Sequence, residues 1–190
     1  MQTTPGLRER KKEATREALI RAAYTLFQDR GFDAVTIDEL ADTALISRST
    51  FFRYFPTKEA IVFPRQAQRL EVFKAALAQN RPDLEGVRQA CLDTATGFMA
   101  AREEFLAQGR VIGTSTTLIA FEASLDVQWE DALAAHLGQA LPERQAAYLA
   151  GATMGLVRAV LRSWRDQGCR EDLGELGHQA FELLLPQSAA

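Results

Sequence analysis

The residues best suited to recognise a polyanion are concentrated in one short segment, residues 47–55, with the sequence SRSTFFRYF. At helical spacing, four of its side chains share one face: Arg48, Ser49, Phe52 and Arg53. An arginine guanidinium offers a bidentate fork to guanine, hydroxyl groups donate to phosphates, and an aromatic ring contacts a thymine methyl group. Phe51 and Phe55 fall on the opposite face, where we expect them to anchor the helix in a core.

Catalytic chemistry has little support in the sequence. Only two histidines occur, His136 and His178, and no HExxH, GxSxG, GxGxxG or phosphate-loop string is present. Glu175 and His178 have the Glu-x-x-His spacing that di-iron helical bundles use twice with two further glutamates, but here the motif occurs once. We therefore expect no enzyme, no metal and no cofactor. A helical-bundle metalloenzyme stays an alternative that rests on this pair alone.

Composition and charge point to a globular chain with two electrostatically different parts. The 190 residues are 47% hydrophobic and 25% charged, and the formal net charge is −3. Residues 1–64 carry a net charge of +1 and residues 65–190 a net charge of −4, an asymmetry that can mark a polyanion-binding end. Two cysteines without a CxxC pair, no long apolar run and no signal sequence favour a cytoplasmic protein without a membrane span.

Helical periodicity predicts an all-α fold of about nine helices. The first helix should run from about Arg8 to Arg30 and end at Gly31, and Thr36-Ile-Asp-Glu39 is a capping box that starts the second. Ser47 should cap a third helix, and a longer one is predicted from Thr57 to about Ala78, where Pro64 can introduce a bend. A short helix, a tight turn and another short helix over residues 36–55 form a helix-turn-helix arrangement. Long helices follow to the end of the chain.

Residues 8–64 resemble the DNA-binding domain of TetR-family transcriptional repressors. The resemblance rests on the Gly31-Phe32 turn, the Thr36 capping box, the Ser-Arg-Ser-Thr opening at 47–50, Tyr54-Phe55 and Lys58-Glu59-Ala60. Serine stands at position 49, where the family often has glycine, and phenylalanine at position 52, where it often has tyrosine. The resemblance implies a three-helix DNA-binding domain over residues 1–56 and a helical domain for ligand binding and dimerisation over residues 57–190.

The expected function is that of a ligand-responsive homodimeric regulator, in the first place a repressor, that leaves a palindromic operator when a small apolar or amphipathic effector binds. A DNA-binding regulator without an inducer is the alternative. The predicted DNA contacts are Thr36, Ser47, Arg48, Ser49, Thr50, Phe52, Arg53, Tyr54 and Lys58. The candidate effector contacts are Phe63, Phe73, Phe98, Phe105, Phe121, Trp129 and Tyr148. The candidate dimer contacts are Gly155, Val157, Leu161, Trp164, Phe181 and Leu184.

Overall fold

The computed structural model of the chain describes residues 6–184, and within that range it contains nine α-helices and no strand. The helices of the N-terminal part are α1 (Leu7–Arg30), α2 (Ile37–Thr43) and α3 (Arg48–Tyr54). The others are α4 (Gln66–Gln79), α5 (Leu84–Ala100), α6 (Arg102–Ile112), α7 (Thr116–Leu137), α8 (Glu143–Asp166) and α9 (Leu173–Phe181). The all-α prediction is confirmed.

The chain divides into two compact units. The first extends to Pro64 and also takes Ala107–Ala120, and the second combines Arg65–Leu106 with the residues from Phe121 onward. The predicted domain boundary between residues 56 and 57 therefore lies inside the first unit, and as a functional boundary it stays a prediction.

The first unit is held together by aromatic and branched side chains at its centre. Leu19 and Phe27 of α1, Leu40 of α2 and Phe51 of α3 are all buried. The Phe27 ring lies 5.1 Å from that of Phe32, which follows the α1 C-terminus directly. Gly31 allows this sharp exit because its φ of +80° is one that residues with a Cβ rarely adopt.

The second unit contains two apolar clusters. One joins α4, α5, α7, α8 and α9 through residues that include Phe73, Leu133 and Met154. The other surrounds Trp164, whose ring lies 5.6 Å from that of Phe105. Asp83 caps α5 by accepting a hydrogen bond from the backbone N–H of Gly86 at 2.9 Å.

The predicted helix from Thr57 to about Ala78 is wrong for the residues before Gln66. The structure has a 3-10 turn at Glu59–Ile61, and α4 begins only at Gln66. Pro64 has no backbone N–H to continue a helix. The carbonyls of the interrupted segment find side-chain donors instead: Tyr24 donates to Val62 O, and Arg16 donates to Pro64 O.

Candidate functional site

The start of α2 is fixed by a reciprocal cap. Thr36 Oγ1 accepts a hydrogen bond from the Glu39 backbone N–H at 3.2 Å, and Glu39 Oε2 accepts one from the Thr36 backbone N–H at 2.8 Å. Glu39 Oε1 also lies 2.7 Å from the guanidinium of Arg30. The Thr36 backbone hydrogen bond, followed by the Arg30 partner, lowers the pKa of Glu39 to about 2. The predicted capping box is confirmed, and Thr36 is exposed at the helix end.

The turn between α2 and α3 is tight and closes on the backbone. The Ile46 N–H donates to Ala41 O at 2.9 Å, and Leu45 adopts a φ of +54°. Ser47 then caps α3 by accepting from the Thr50 backbone N–H at 3.2 Å. The Ser49 and Thr50 hydroxyls each lie 2.9 Å from Ser47 Oγ. A cluster of three hydroxyls therefore stands at the N-terminal end of α3, where the helix dipole favours a phosphate.

The two faces of α3 differ as the sequence predicts. Phe51 and Phe55 are buried, and their rings lie 6.0 Å apart inside the first unit. The outer face carries Arg48, Ser49 and Arg53 with Phe52, whose side chain is 43% exposed. Tyr54 is half-buried with its ring 6.0 Å from Arg53 Cζ. The outer face thus presents two cations, hydroxyl groups and one aromatic ring to solvent.

Arg48 is tied to α2 by a residue that the sequence analysis did not single out. Its Nη1 donates to Asp38 Oδ1 at 2.8 Å, and its Cζ lies 5.5 Å from the centre of the Phe52 ring. The pair joins the first residue of α3 to the second residue of α2 across ten positions of sequence. The capping residues at 36 and 47, which place both helix starts, are the only sequence signal for this contact.

Lys58 has a structural role that its position in the sequence did not reveal. Its Nζ donates to the carbonyl oxygens of Phe32 at 3.0 Å and Val35 at 2.9 Å, and it lies 4.0 Å from the Phe32 ring centre. An ammonium group has three N–H donors. Two of them are therefore used inside the protein, and the predicted phosphate contact stays a prediction for the third.

The second unit contains a cavity of about 890 Å³ between α4, α5, the start of α6 and α7. Its apolar wall includes Val72, Phe98, Met99 and Trp129. Its charged lining comprises Arg65, Arg69, Arg102, Glu103 and Glu104. Arg65 Nε lies 2.9 Å from Glu104 Oε2, and Arg69 Cζ lies 5.0 Å from the Phe98 ring centre. Three arginines against two glutamates leave this lining with an excess of positive charge.

Two of the seven candidate effector contacts, Phe98 and Trp129, line this cavity. Phe73 stacks behind Trp129 at 5.0 Å and Phe105 packs behind Phe98 at 5.8 Å, so both support the wall without reaching the cavity. Phe63 is buried in the first unit, Phe121 lies outside the lining, and Tyr148 is 70% exposed on α8. These five residues do not line this cavity, because the sequence does not tell which way each ring points, and their role as effector contacts stays a prediction.

Known proteins resemble this chain in both sequence and fold. The sequence matches a family described as "Bacterial regulatory proteins, tetR family" over residues 19–63. The regulator TcmR of Streptomyces glaucescens is 40% identical over 86 residues, which are 45% of this chain and 38% of TcmR. Residues 19–63 of the chain therefore resemble the TetR family. RutR of Escherichia coli (strain K12) is 32% identical over 80 residues, 42% of this chain and 38% of RutR. The matched segments thus span about two fifths of the length of these two relatives.

Solved TetR-family structures share the fold over almost the whole chain. FadR of Thermus thermophilus, a transcriptional repressor solved in complex with lauroyl-CoA, is 26% identical with a TM-score of 0.59. That comparison covers 92% of this chain and 97% of FadR. A TetR-family regulator from Streptomyces coelicolor has a TM-score of 0.61 at 18% identity, with 97% of each chain covered, and shows the fold alone.

The candidate dimer contacts lie on α8, at the end of α9 and at Leu184. Trp164 is 1% exposed and donates through Nε1 to Glu171 O at 2.9 Å, and Phe181 is 2% exposed in an apolar cluster. Both rings are enclosed by their own unit, so they have little surface to offer a partner, and their role in a dimer interface stays a prediction. Gly155, Val157, Leu161 and Leu184 are half-buried and keep surface for a partner.

The side chains of residues 6–184 offer no cluster suited to a metal ion. No three histidine, cysteine, aspartate or glutamate side chains of that range converge as a metal site would require. His178 Nδ1 lies 2.9 Å from Arg88 Nη1, and His178 Nε2 lies 3.6 Å from Glu182 Oε1. The Arg88 guanidinium therefore already contacts one of the two ring nitrogens. None of the helices described is long and apolar enough to cross a membrane.

Proposed function

We propose that the chain is a transcriptional repressor that binds a palindromic operator as a homodimer through α3. The observation that carries the proposal is the contrast between the two faces of α3. Phe51 and Phe55 fix the helix in the first unit, and Arg48, Ser49, Phe52 and Arg53 remain on the outside. An α-helix of this kind fits the major groove of B-DNA and meets base edges with its N-terminal residues.

The remaining outer contacts serve the phosphate backbone. The hydroxyls of Ser47 and Thr50 stand at the start of α3, and Thr36 stands at the start of α2, where backbone N–H groups and the helix dipole favour an anion. Tyr54 and the third donor of Lys58 complete the proposed set. These contacts set register and affinity, whereas Arg48 and Phe52 read sequence.

The test of DNA recognition is a selection from random duplexes with the full-length protein, followed by binding measurements on the selected sequence. We expect a palindrome with half-sites about 34–36 Å apart. Arg48→Ala should reduce specific affinity about 5- to 150-fold, the range of one lost bidentate base contact. Failure of the wild-type protein to enrich any sequence would refute the proposed function.

The cavity of the second unit is the proposed effector site. Its apolar wall of Val72, Phe98, Met99 and Trp129 suits an alkyl chain, and its arginine-rich rim suits an anionic group. We therefore propose an amphipathic anion as effector, a chemistry also present in the lauroyl-CoA bound to the FadR of Thermus thermophilus. Binding of such a molecule should lower operator affinity.

Tryptophan fluorescence can test this site because the chain has two tryptophans and one lines the cavity. Lauroyl-CoA should change the emission of the Trp164→Phe protein, where Trp129 remains. The same titration should leave the emission of the Trp129→Phe protein unchanged. Phe98→Ala should weaken both the fluorescence response and release of the operator. An unchanged operator affinity at saturating lauroyl-CoA would remove this molecule as effector and favour a regulator without an inducer.

Dimerisation is proposed through α8 and Leu184. Tyr148 is exposed on α8, and a Cβ added at Gly155, two turns further along, would meet nothing within 4 Å. Leu161→Glu should give a protein of one-chain mass in sedimentation equilibrium at micromolar concentration. Val127→Glu is the matched control, since Val127 is an exposed apolar residue of α7 outside the proposed face. If the wild-type protein also sediments with the mass of one chain, the proposed dimerisation is refuted.

A further inference from the structure

The contact between Asp38 and Arg48 needs an explanation beyond stability. Both side chains are exposed, and an exposed ion pair contributes little to folding. An acidic side chain on the surface that faces DNA also repels phosphates, so Asp38 lowers the affinity for DNA of any sequence. Asp38 stands in the first turn of α2, where the helix dipole favours a carboxylate, but that role does not require its hydrogen bond to Arg48, and this bond points to an effect on the arginine.

The geometry of the pair leaves the arginine able to read a base. A guanidinium carries five N–H donors in one plane. Asp38 Oδ1 accepts from Nη1 at 2.8 Å, and the Phe52 ring lies 5.5 Å from Arg48 Cζ. The carboxylate therefore occupies one edge of the fork and the ring limits its rotation, while Nη2 and Nε keep donors for the two acceptors of guanine.

We propose that Asp38 is a specificity-determining residue, which positions Arg48 to read guanine in the major groove and holds it away from phosphates. The proposal rests on the proposed function, because it requires α3 to bind DNA. Without Asp38, the long side chain of Arg48 samples many rotamers, and in several of them its charge meets the nearest phosphate. Discrimination between bases should then fall, and affinity for unrelated DNA should rise.

The experiment measures wild-type, Asp38→Ala and Asp38→Asn proteins on the selected operator. Each protein is also measured on the three substitutions of the guanine that depends on Arg48, and on an unrelated duplex. Asp38→Ala should lower discrimination at that guanine about tenfold and strengthen binding to unrelated DNA. The slope of log K against log salt should become steeper by about 0.9 for each additional phosphate that the freed arginine neutralises. Asp38→Asn keeps an acceptor oxygen without the charge and should give an intermediate result.

Asp42→Ala is the matched control. Asp42 is an exposed carboxylate one turn further along α2, so its removal changes the net charge equally. It should strengthen binding to all duplexes by a similar factor and leave base preference unchanged. Thermal unfolding of the three Asp38 and Asp42 variants should stay close to that of the wild type, which separates a loss of folding from a loss of positioning.

An Arg48→Ala background distinguishes positioning from direct contact. If Asp38 acts through Arg48, then Asp38→Ala has no further effect on base preference once Arg48 is absent. An equal effect in both backgrounds would mean that Asp38 accepts a hydrogen bond from a base itself and would overturn the proposal. Unchanged discrimination in Asp38→Ala would also overturn it, whereas failure of the wild type to select any operator refutes the proposed function instead.

Discussion

The carbonyl group of Val62 offers a sharp test of how the first unit is held together. Val62 is fully buried, and its oxygen accepts hydrogen bonds from Tyr24 Oη at 2.9 Å and Gln108 Nε2 at 2.7 Å. Tyr24 lies in α1 and Gln108 in α6, so two distant helices meet at one acceptor. Tyr24→Phe and Gln108→Met remove these donors with little change in side-chain volume.

The expected energies are not additive. One hydrogen bond contributes about 1 kcal/mol net, so each single variant should lose about 1 kcal/mol of unfolding free energy, since the other donor still satisfies the oxygen. The double variant leaves a buried carbonyl without either donor, and this adds a desolvation cost of about 1–3 kcal/mol. We therefore expect the double variant to lose about 3–5 kcal/mol, with a coupling of at least about 1 kcal/mol.

Urea unfolding is monitored by far-ultraviolet circular dichroism at one fixed protein concentration. It gives the unfolding free energies of the wild type, the two single variants and the double variant. Thr25→Ala is the control, because its exposed hydroxyl donates to Arg21 O on the outer side of α1. That substitution should change stability by less than about 0.5 kcal/mol. Additive losses in the double variant would refute the reasoning, since they would show that Val62 O is satisfied independently of both side chains.

Two further predictions concern the helix-turn-helix. Glu39 has a pKa of about 2 against an ordinary value of 4.5, so its contribution to stability is complete above pH 4.5 and is lost as pH falls towards 2. Thermal unfolding midpoints of the wild type and Glu39→Gln should accordingly converge between pH 6 and pH 3; a constant difference would contradict the shift. Leu45 is 93% exposed at a φ of +54°, which costs a residue with a Cβ about 1–2 kcal/mol. Glycine avoids this cost, but its greater freedom in the unfolded chain offsets about 0.5–1 kcal/mol of the gain. Leu45→Gly should therefore raise the unfolding free energy by about 0.5–1 kcal/mol in urea titrations. Leu45→Ala keeps the Cβ and should leave it unchanged, and an equal gain in both variants would assign the effect to the lost apolar surface instead.

Features set by neighbouring residues could be predicted from the sequence. The Thr36 capping box, the Ser47 cap and the opposite faces of α3 depend on residues three or four positions apart, whose geometry a helix fixes. The order and number of helices follow from the same local periodicity. These features place the proposed DNA-reading side chains without any knowledge of tertiary contacts.

Features set by distant residues could not be predicted in this way. The interruption before α4 depends on Tyr24 and Arg16, which satisfy carbonyls 38 and 48 positions further along the chain. The role of Lys58 depends on carbonyls at the end of α1. An apolar stripe predicts burial but not the surface that covers it, and the sequence does not show that Trp164 packs among side chains of its own unit.

The arrangement of α3 separates stability from specificity. Phe51 lies in the core, and its replacement by alanine should cost about 3–5 kcal/mol, the range of large aromatic deletions. Arg48 contacts both Asp38 and the Phe52 ring on the outside, where substitutions usually change stability by less than about 0.5 kcal/mol. Because the inner face fixes the orientation of the helix, the outer face can change without unfolding the domain. A change at Asp38 therefore alters what Arg48 reads while the helix that carries both the arginine and its aromatic neighbour stays in place.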